Sequence, residues 1–159
     1  MTKTIKPPES FTEALSTCKL SIFLAGSIEM GAAIDWQAQF IESFKDEDSL
    51  LFLNPRRDDW DSSWEQSIEN KHFREQVEWE LEAQEKADII VIYFAPNTKS
   101  PITLLELGLF AKSKKMICCC PKGFWRKGNV DVVCDRYGVE VVDSLDKMIS
   151  ALREKIEAK

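Results

Sequence analysis

Residues 88–95, DIIVIYFA, restrict the fold more than any other stretch of the chain. A strand with one face in water alternates apolar and polar residues, whereas a run that is apolar and β-rich throughout needs cover above and below. That is the situation of a central strand in a parallel sheet packed between helices. The flanking segments agree with this. Upstream, residues 68–86 place Phe73, Val77 and Leu81, with Gln84 beside them, on one helical face. Downstream, Ser100-Pro101 has the form of a helix start, because serine is a good N-cap and proline is favoured at the first helical position.

The same periodicities predict further strands at 20–25, 50–53, 116–120 and 139–142, and helices over 34–44 and 145–159. Residues 1–17 read as a leader with one weak amphipathic turn (Phe11, Leu15), lying against the surface or fraying. Strands that alternate with helices at these lengths predict an α/β, three-layer, flavodoxin-like fold with a five-stranded, mainly parallel sheet, in a single domain over 1–159.

Composition narrows the functional classes. A net charge of −6 argues against a general electrostatic grip on a nucleic-acid polymer, so a nucleic-acid-derived ligand is expected as a monomer in a pocket. No apolar run approaches the ~20 residues that span a bilayer, and MTKTIKPPES has no secretory apolar core. A cytoplasmic protein is the expectation. Three of the five cysteines, Cys118, Cys119 and Cys120, are consecutive in a strand, so their thiols alternate between faces and cannot converge on one metal. They read as small buried thiols, as do Cys18 and Cys134.

In an open parallel sheet ligands bind beyond the carboxyl ends of the strands, and the unusual residues of this chain fall in those loops. After the first of these strands comes AGSIEMG, where Gly26, Ser27, Ile28 and Gly31 either offer backbone N–H groups to an anion or simply make a strand-to-helix turn. The loop lacks both GxGxxG and the P-loop lysine, so it is not a dinucleotide or triphosphate fingerprint. After the second strand, NPRRDDWDSSW combines Arg56, Arg57, Asp58, Asp59 and Asp61, a solvated charge cluster by the usual standard. Trp60 and Trp64 within it are suited to stack on a flat ligand.

The loop after DIIVIYFA leads into SPITLLELGLFA, with Glu106 in the second helical turn between leucines. A solvent-facing carboxylate would be unremarked, but this helix has almost no polar side before Lys112, and acidic residues are rarely buried without a partner. A carboxylate in an apolar wall beside a ligand cleft suits nucleophilic attack on an electrophilic sugar carbon.

The series FLAGSI, WELEAQEKADIIV, SPITLLELG and KGNVD, in order over residues 20–145, resembles the nucleoside 2-deoxyribosyltransferase family, above all its bacterial transferase-like branch. The resemblance implies a flavodoxin-like enzyme that exchanges or removes a base at C1′ of a 2′-deoxyribose through a covalent glycosyl–enzyme intermediate. Its nucleophilic glutamate matches Glu106. The acidic or amide residue that contacts the base matches Glu80, which otherwise reads as one of several exposed helix carboxylates with Glu75, Glu78 and Glu82. No metal or organic cofactor is implied.

Transferases of this kind usually carry an aspartate six residues before the nucleophile, where this chain has Ser100. Serine there, together with a GSI loop, is similar to the deoxynucleoside 5′-monophosphate N-glycosidases, in which both serines hold the 5′-phosphate; Ser27 and Ser100 are then phosphate ligands. Asn129 in KGNVD, with Asp131 close by, matches the asparagine that a neighbouring subunit contributes at the sugar's 5′ end, or is merely an asparagine in a Gly-flanked turn. The first case implies a homo-oligomer, dimer or larger. His72, the single histidine, reads as a surface residue. Three readings therefore stay open: transferase on a nucleoside, hydrolase on its 5′-monophosphate, and a non-catalytic nucleotide-binding module.

Overall fold

The computed structural model describes residues 1–28 and 34–159. In it the central run forms β4 (Ile89–Tyr93), whose side chains divide between the sheet's two faces: Ile90 and Ile92 enter one core cluster, Ile89 and Val91 the other. The same division holds in β2 (Leu20–Gly26), β3 (Leu50–Leu53) and β5 (Met116–Cys119). Cys118 and Cys120 lie on one face and Cys119 on the other, as the strand period requires.

With β1 (Lys3–Ile5) and β6 (Glu140–Val142) these strands make one sheet in the order β1-β3-β2-β4-β5-β6, and every neighbouring pair is parallel. Helices α1 (Thr12–Thr17), α3 (Lys71–Lys86), α4 (Pro101–Phe110) and α5 (Lys127–Tyr137) supply the cluster around Phe23, Ala25, Ile90 and Ile92. Helices α2 (Trp36–Glu42) and α6 (Leu145–Glu157) supply the cluster on the opposite face. The architecture is the expected flavodoxin-like sandwich. Order reverses between β2 and β4: from β2 the chain steps to β3 on one side, then crosses to β4 on the other, which opens a crevice at their carboxyl ends.

Three expectations need correction. The sheet has six strands, not five, because the leader is part of it. Lys3–Ile5 pair with Leu51–Leu53, Ile5 and Phe11 are buried, and the Trp79 indole donates to the Glu9 carbonyl at 2.8 Å. With one buried side chain in three residues, β1 leaves no periodic trace in the sequence. KGNVD is the first turn and a half of α5, a helix missed because its inner side is small, Val130 and Cys134. The apolar stripe of α3 does not face the sheet: its buried residues are Gln76, Trp79, Ala83 and Gln84, while Ile68, Phe73, Val77 and Leu81 line an open surface groove.

The carboxyl end of α3 is held by one cation. Lys115, which immediately precedes β5, donates from Nζ to the carbonyls of Gln84 (2.6 Å), Glu85 (2.9 Å) and Ala87 (2.7 Å), satisfying acceptors that a helix end leaves open and placing a positive charge at the negative end of its dipole. Lys115→Met should lower the unfolding free energy by about 1–2 kcal/mol, since hydrogen bonds from a charged donor are lost at a partly solvated site. Urea unfolding of the two proteins measures it, and an unchanged midpoint would show that the clamp is not needed for stability.

Candidate functional site

Gly26 ends β2 opposite Tyr93 of β4. A β-carbon there would lie 2.6 Å from Trp36 Cζ2 and 2.6 Å from the Tyr93 carbonyl oxygen, so only glycine lets these elements close together. Its function is close approach inside the strand, not the turn expected of it. The next residue, Ser27, continues the ladder by donating its N–H to the Tyr93 carbonyl at 3.1 Å. Ile28 follows, half-buried, and Gly31 lies outside the described residues.

Ser27 Oγ stands in a cluster of hydroxyls. It is 2.5 Å from Ser100 Oγ and 3.2 Å from Thr98 Oγ1, Thr98 Oγ1 is 2.7 Å from Ser100 Oγ, and the Ala95 N–H donates to Ser27 Oγ at 3.0 Å. Ser100 sits at the N-cap position of α4, but its hydroxyl does not cap the helix. Its backbone is left-handed (φ 47°), a conformation that costs a non-glycine residue energy and turns the side chain toward Ser27. The capping role expected of it is therefore corrected. Thr98 completes the triangle and went unremarked in the sequence, where nothing separates it from an ordinary loop threonine.

Further along α4 the helix turns two polar side chains inward beside Leu107. Thr103, Glu106 and Leu107 are its buried residues, and Glu106 is only 8% exposed, whereas Ile102, Leu105 and Leu109 are 61%, 58% and 54% exposed. The sequence neighbours Leu105 and Leu109 thus form no wall around Glu106. Its immediate partner is Gln84 of α3, whose Nε2 donates to Glu106 Oε2 at 2.6 Å. Burial pushes the Glu106 carboxyl up to about 7, opposed by that hydrogen bond.

Glu80, one turn before Gln84, is half-buried as a residue, but burial of its carboxyl followed by the charge of Glu106 holds it well above the ordinary carboxylate range. Two carboxyls in one poorly solvated space favour holding a proton between them. Gln76 completes this side of α3: its Nε2 donates to the Pro55 carbonyl at 3.0 Å, and Oε1 is buried without a partner. Gln76, Glu80 and Gln84 thus form a polar row at four-residue spacing, turned inward where a helix normally presents leucines. That spacing was legible; their inward orientation was not, because Phe73, Val77 and Leu81 advertise a different buried face.

Trp60 and Trp64 contact each other edge-to-face at 5.1 Å in the loop after β3. Trp64 also stacks on His72 at 4.6 Å and lies beneath the Arg57 guanidinium at 5.0 Å, so its ring is already engaged, and exposed His72 serves it as a stacking partner. Asn129 and Asp131 lie on α5 rather than in a loop; Asn129 is exposed, and Asp131 accepts from Lys127 Nζ at 3.1 Å. Among the described residues neither is hydrogen-bonded to Glu106, Ser27 or Ser100. A further missed residue, Trp125, donates its indole N–H to the Lys99 carbonyl and lies between Lys99 Nζ (4.2 Å) and the Arg126 guanidinium (4.6 Å), tying the loop before α4 to the one before α5.

Among the described residues no group of three or more His, Cys, Asp or Glu side chains converges as a metal site, and no helix is long and apolar enough to cross a membrane. What the structure does hold is a buried carboxyl raised to about 7, a second carboxyl raised by burial and by the charge of the first, and three clustered hydroxyls at a strand end. Such a set can attack an electrophilic carbon, protonate a leaving group and grip a polar or anionic substituent.

Residues 19–124 match the family model described as nucleoside 2-deoxyribosyltransferase like. No curated protein sequence matches the chain. Among solved structures it is similar to a conserved protein from Enterococcus faecalis V583, with a TM-score of 0.61 at 12% identity over 86% of this chain and 98% of that one, a likeness of fold alone.

The raised carboxyl of Glu106 makes stability depend on pH. In the unfolded chain it titrates near the ordinary carboxylate value, about 4.5, and in the folded chain near 7. Folding therefore binds the proton more tightly, so this contribution is fully present below about 4.5 and is lost as pH rises through about 7. Glu106→Gln removes it. The variant should gain on the wild type by roughly 2–3 kcal/mol between pH 4.5 and 8, and parallel stability curves across that range would refute the raised value.

Proposed function

The chain belongs to the nucleoside 2-deoxyribosyltransferase-like family, and on that premise we propose that it cleaves or transfers the N-glycosidic bond of a 2′-deoxyribonucleoside, with Glu106 as nucleophile. The observation that carries this reading is the orientation of α4: a helix that buries its only carboxylate while Ile102, Leu105 and Leu109 stand exposed is organised around that carboxylate. In the proposed reaction a Glu106 oxygen attacks C1′ as the C1′–N bond breaks. The bonding pair leaves with the base, which takes the proton held by Glu80. Water or a second free base then attacks C1′ from the other face, expelling Glu106 as a carboxylate and returning a proton to Glu80. Two inversions give net retention.

A second reading is favoured by the hydroxyl triangle. Ser27, Thr98 and Ser100 are neutral donors clustered at a strand end, suited to the oxygens of a 5′-phosphate, and Ser100 replaces the carboxylate that would repel one. That supports hydrolysis of a deoxynucleoside 5′-monophosphate. Trp60, with a buried and unpartnered indole N–H, remains the better of the two loop tryptophans to contact the base. Asn129 and Asp131 would complete the 5′ end only from a neighbouring subunit. The outward Ile102, Leu105 and Leu109 of α4 and the adjoining groove on α3 support a homo-oligomer in which a second copy covers them.

Incubating the protein with a deoxynucleoside or its 5′-monophosphate, with and without a second free base, separates these readings by chromatography. Exchanged nucleoside marks a transferase, and free base with deoxyribose phosphate marks the hydrolase. Ligand binding with no base released in any arm would leave a non-catalytic module. Glu106→Ala is expected to cut turnover at least about a thousandfold while binding persists. Since Glu106 attacks only when ionised and Glu80 donates only when protonated, kcat/KM of the wild type should rise with pH through about 7 and fall again once Glu80 loses its proton. Leu105→Glu with Leu109→Glu should shift the sedimentation of the protein toward the monomer and lower activity with it; a double variant that stays assembled and active would remove this face from the proposed interface.

A further inference from the structure

Gln84 is wholly buried on α3, and both hydrogens of its side-chain amide are committed. Nε2 donates to Glu106 Oε2 at 2.6 Å and to the backbone carbonyl of Glu80 at 3.1 Å, while Oε1 is buried without a partner. Orphaning a buried carbonyl oxygen is costly. A leucine of similar size would avoid that cost but leave the buried Glu106 carboxyl without its hydrogen bond, so the glutamine is there for Glu106. Rotating the amide by a half-turn would set Oε1 against the carboxylate, which is tolerable only when Glu106 is protonated. The amide as placed fits ionised Glu106.

The backbone of Gln84 is also held from behind. Its main-chain carbonyl accepts from Lys115 Nζ at 2.6 Å, so the residue that contacts Glu106 is tied to the residue that immediately precedes β5. Glu80 receives no such donor from Gln84's side chain; the residue that assists its carboxyl is Gln76. The two carboxyls therefore differ in a specific way: Glu106 accepts from a fixed amide N–H, whereas burial and the charge of Glu106 raise the Glu80 carboxyl. Glu80 is the charged or titratable group that bears on Glu106 from the packed helix α3.

We infer that Gln84 is a positioning residue that assigns the nucleophile's role to Glu106: its amide pins Oε2, leaves Oε1 as the attacking oxygen, and directs the shared proton to Glu80. This inference rests on the proposed glycosyl chemistry for its consequence in turnover, but not for its effect on the carboxyl. A donor fixed on the ionised form favours that form, whatever reaction follows. Without it, Glu106 loses the donor that favours its ionised form while Gln76 still favours that of Glu80, and Glu106 loses the orientation from which one oxygen points at C1′.

Two variants and two readouts test this. In protein carrying carboxyl-labelled glutamate, with resonances assigned through Glu106→Gln and Glu80→Gln, the Glu106 midpoint should move up by one pH unit or more in Gln84→Met. In the same variant kcat for base release should fall tenfold to a hundredfold with KM changed less than about threefold, and the acid limb of the pH profile should move up with the midpoint. Gln84→Glu, which can donate only when protonated, should retain activity in a narrow acidic window and lose it above; it also serves if the methionine variant fails to fold. An unmoved midpoint with unmoved kcat in either folded variant overturns the inference. If the wild type releases no base but the midpoint still shifts, the proposed function falls and the positioning stands. Normal base release with an unmoved midpoint does the reverse.

Discussion

The register between β2 and β4 is the constraint on which the rest of the molecule depends. From these two strands the chain departs in opposite directions, and the backbone at their ends is so close that Gly26 admits no side chain. That closeness brings Ser27 beside Thr98 and Ser100 and sets where α4 begins, hence where its second turn carries Glu106. A parallel sheet covered on both faces leaves only the strand ends open, so polar chemistry collects there.

Around that frame two helices give up ordinary packing. Helix α3 buries amides and a carboxyl and leaves phenylalanine, valine and leucine in a surface groove, while α4 buries a carboxylate and exposes isoleucine and leucines. Either inversion alone would look like a local defect. Together they describe one polar seam between the helices, with Gln84 bonded to Glu106 across it, at a cost met by the extensive core on both sheet faces. Proteins of this size have a large core, and can bear a few such departures where function needs them.

The sequence made legible what repeats over many residues. Four of the five expected strands lie almost where the apolar runs put them, the fifth at Glu140–Val142 is only a residue shorter, and the alternation of three consecutive thiols follows from strand period alone. Family motifs single out Glu106, Ser27 and Ser100, and the hydroxyls of the two serines lie 2.5 Å apart. Illegible were elements carried by one or two side chains. Strand β1 has Ile5 alone to bury, and α5 has Val130 and Cys134, so neither rises above background. Orientation was the other loss. Hydrophobic periodicity tells which residues of a helix share a face, but the assumption that this face turns inward failed for α3. It failed at Gln84, which had been grouped with the apolar stripe it in fact opposes.

The thiols have a practical consequence. Four of the five are buried within the layers, and only Cys18 is partly open, at the point where the chain enters β2 and so at the end of the sheet away from Ser27. A maleimide dye or spin label offered to the folded protein has one address without any engineering. It reports from the far pole of the molecule, where it disturbs nothing in the crevice and still senses assembly or tumbling.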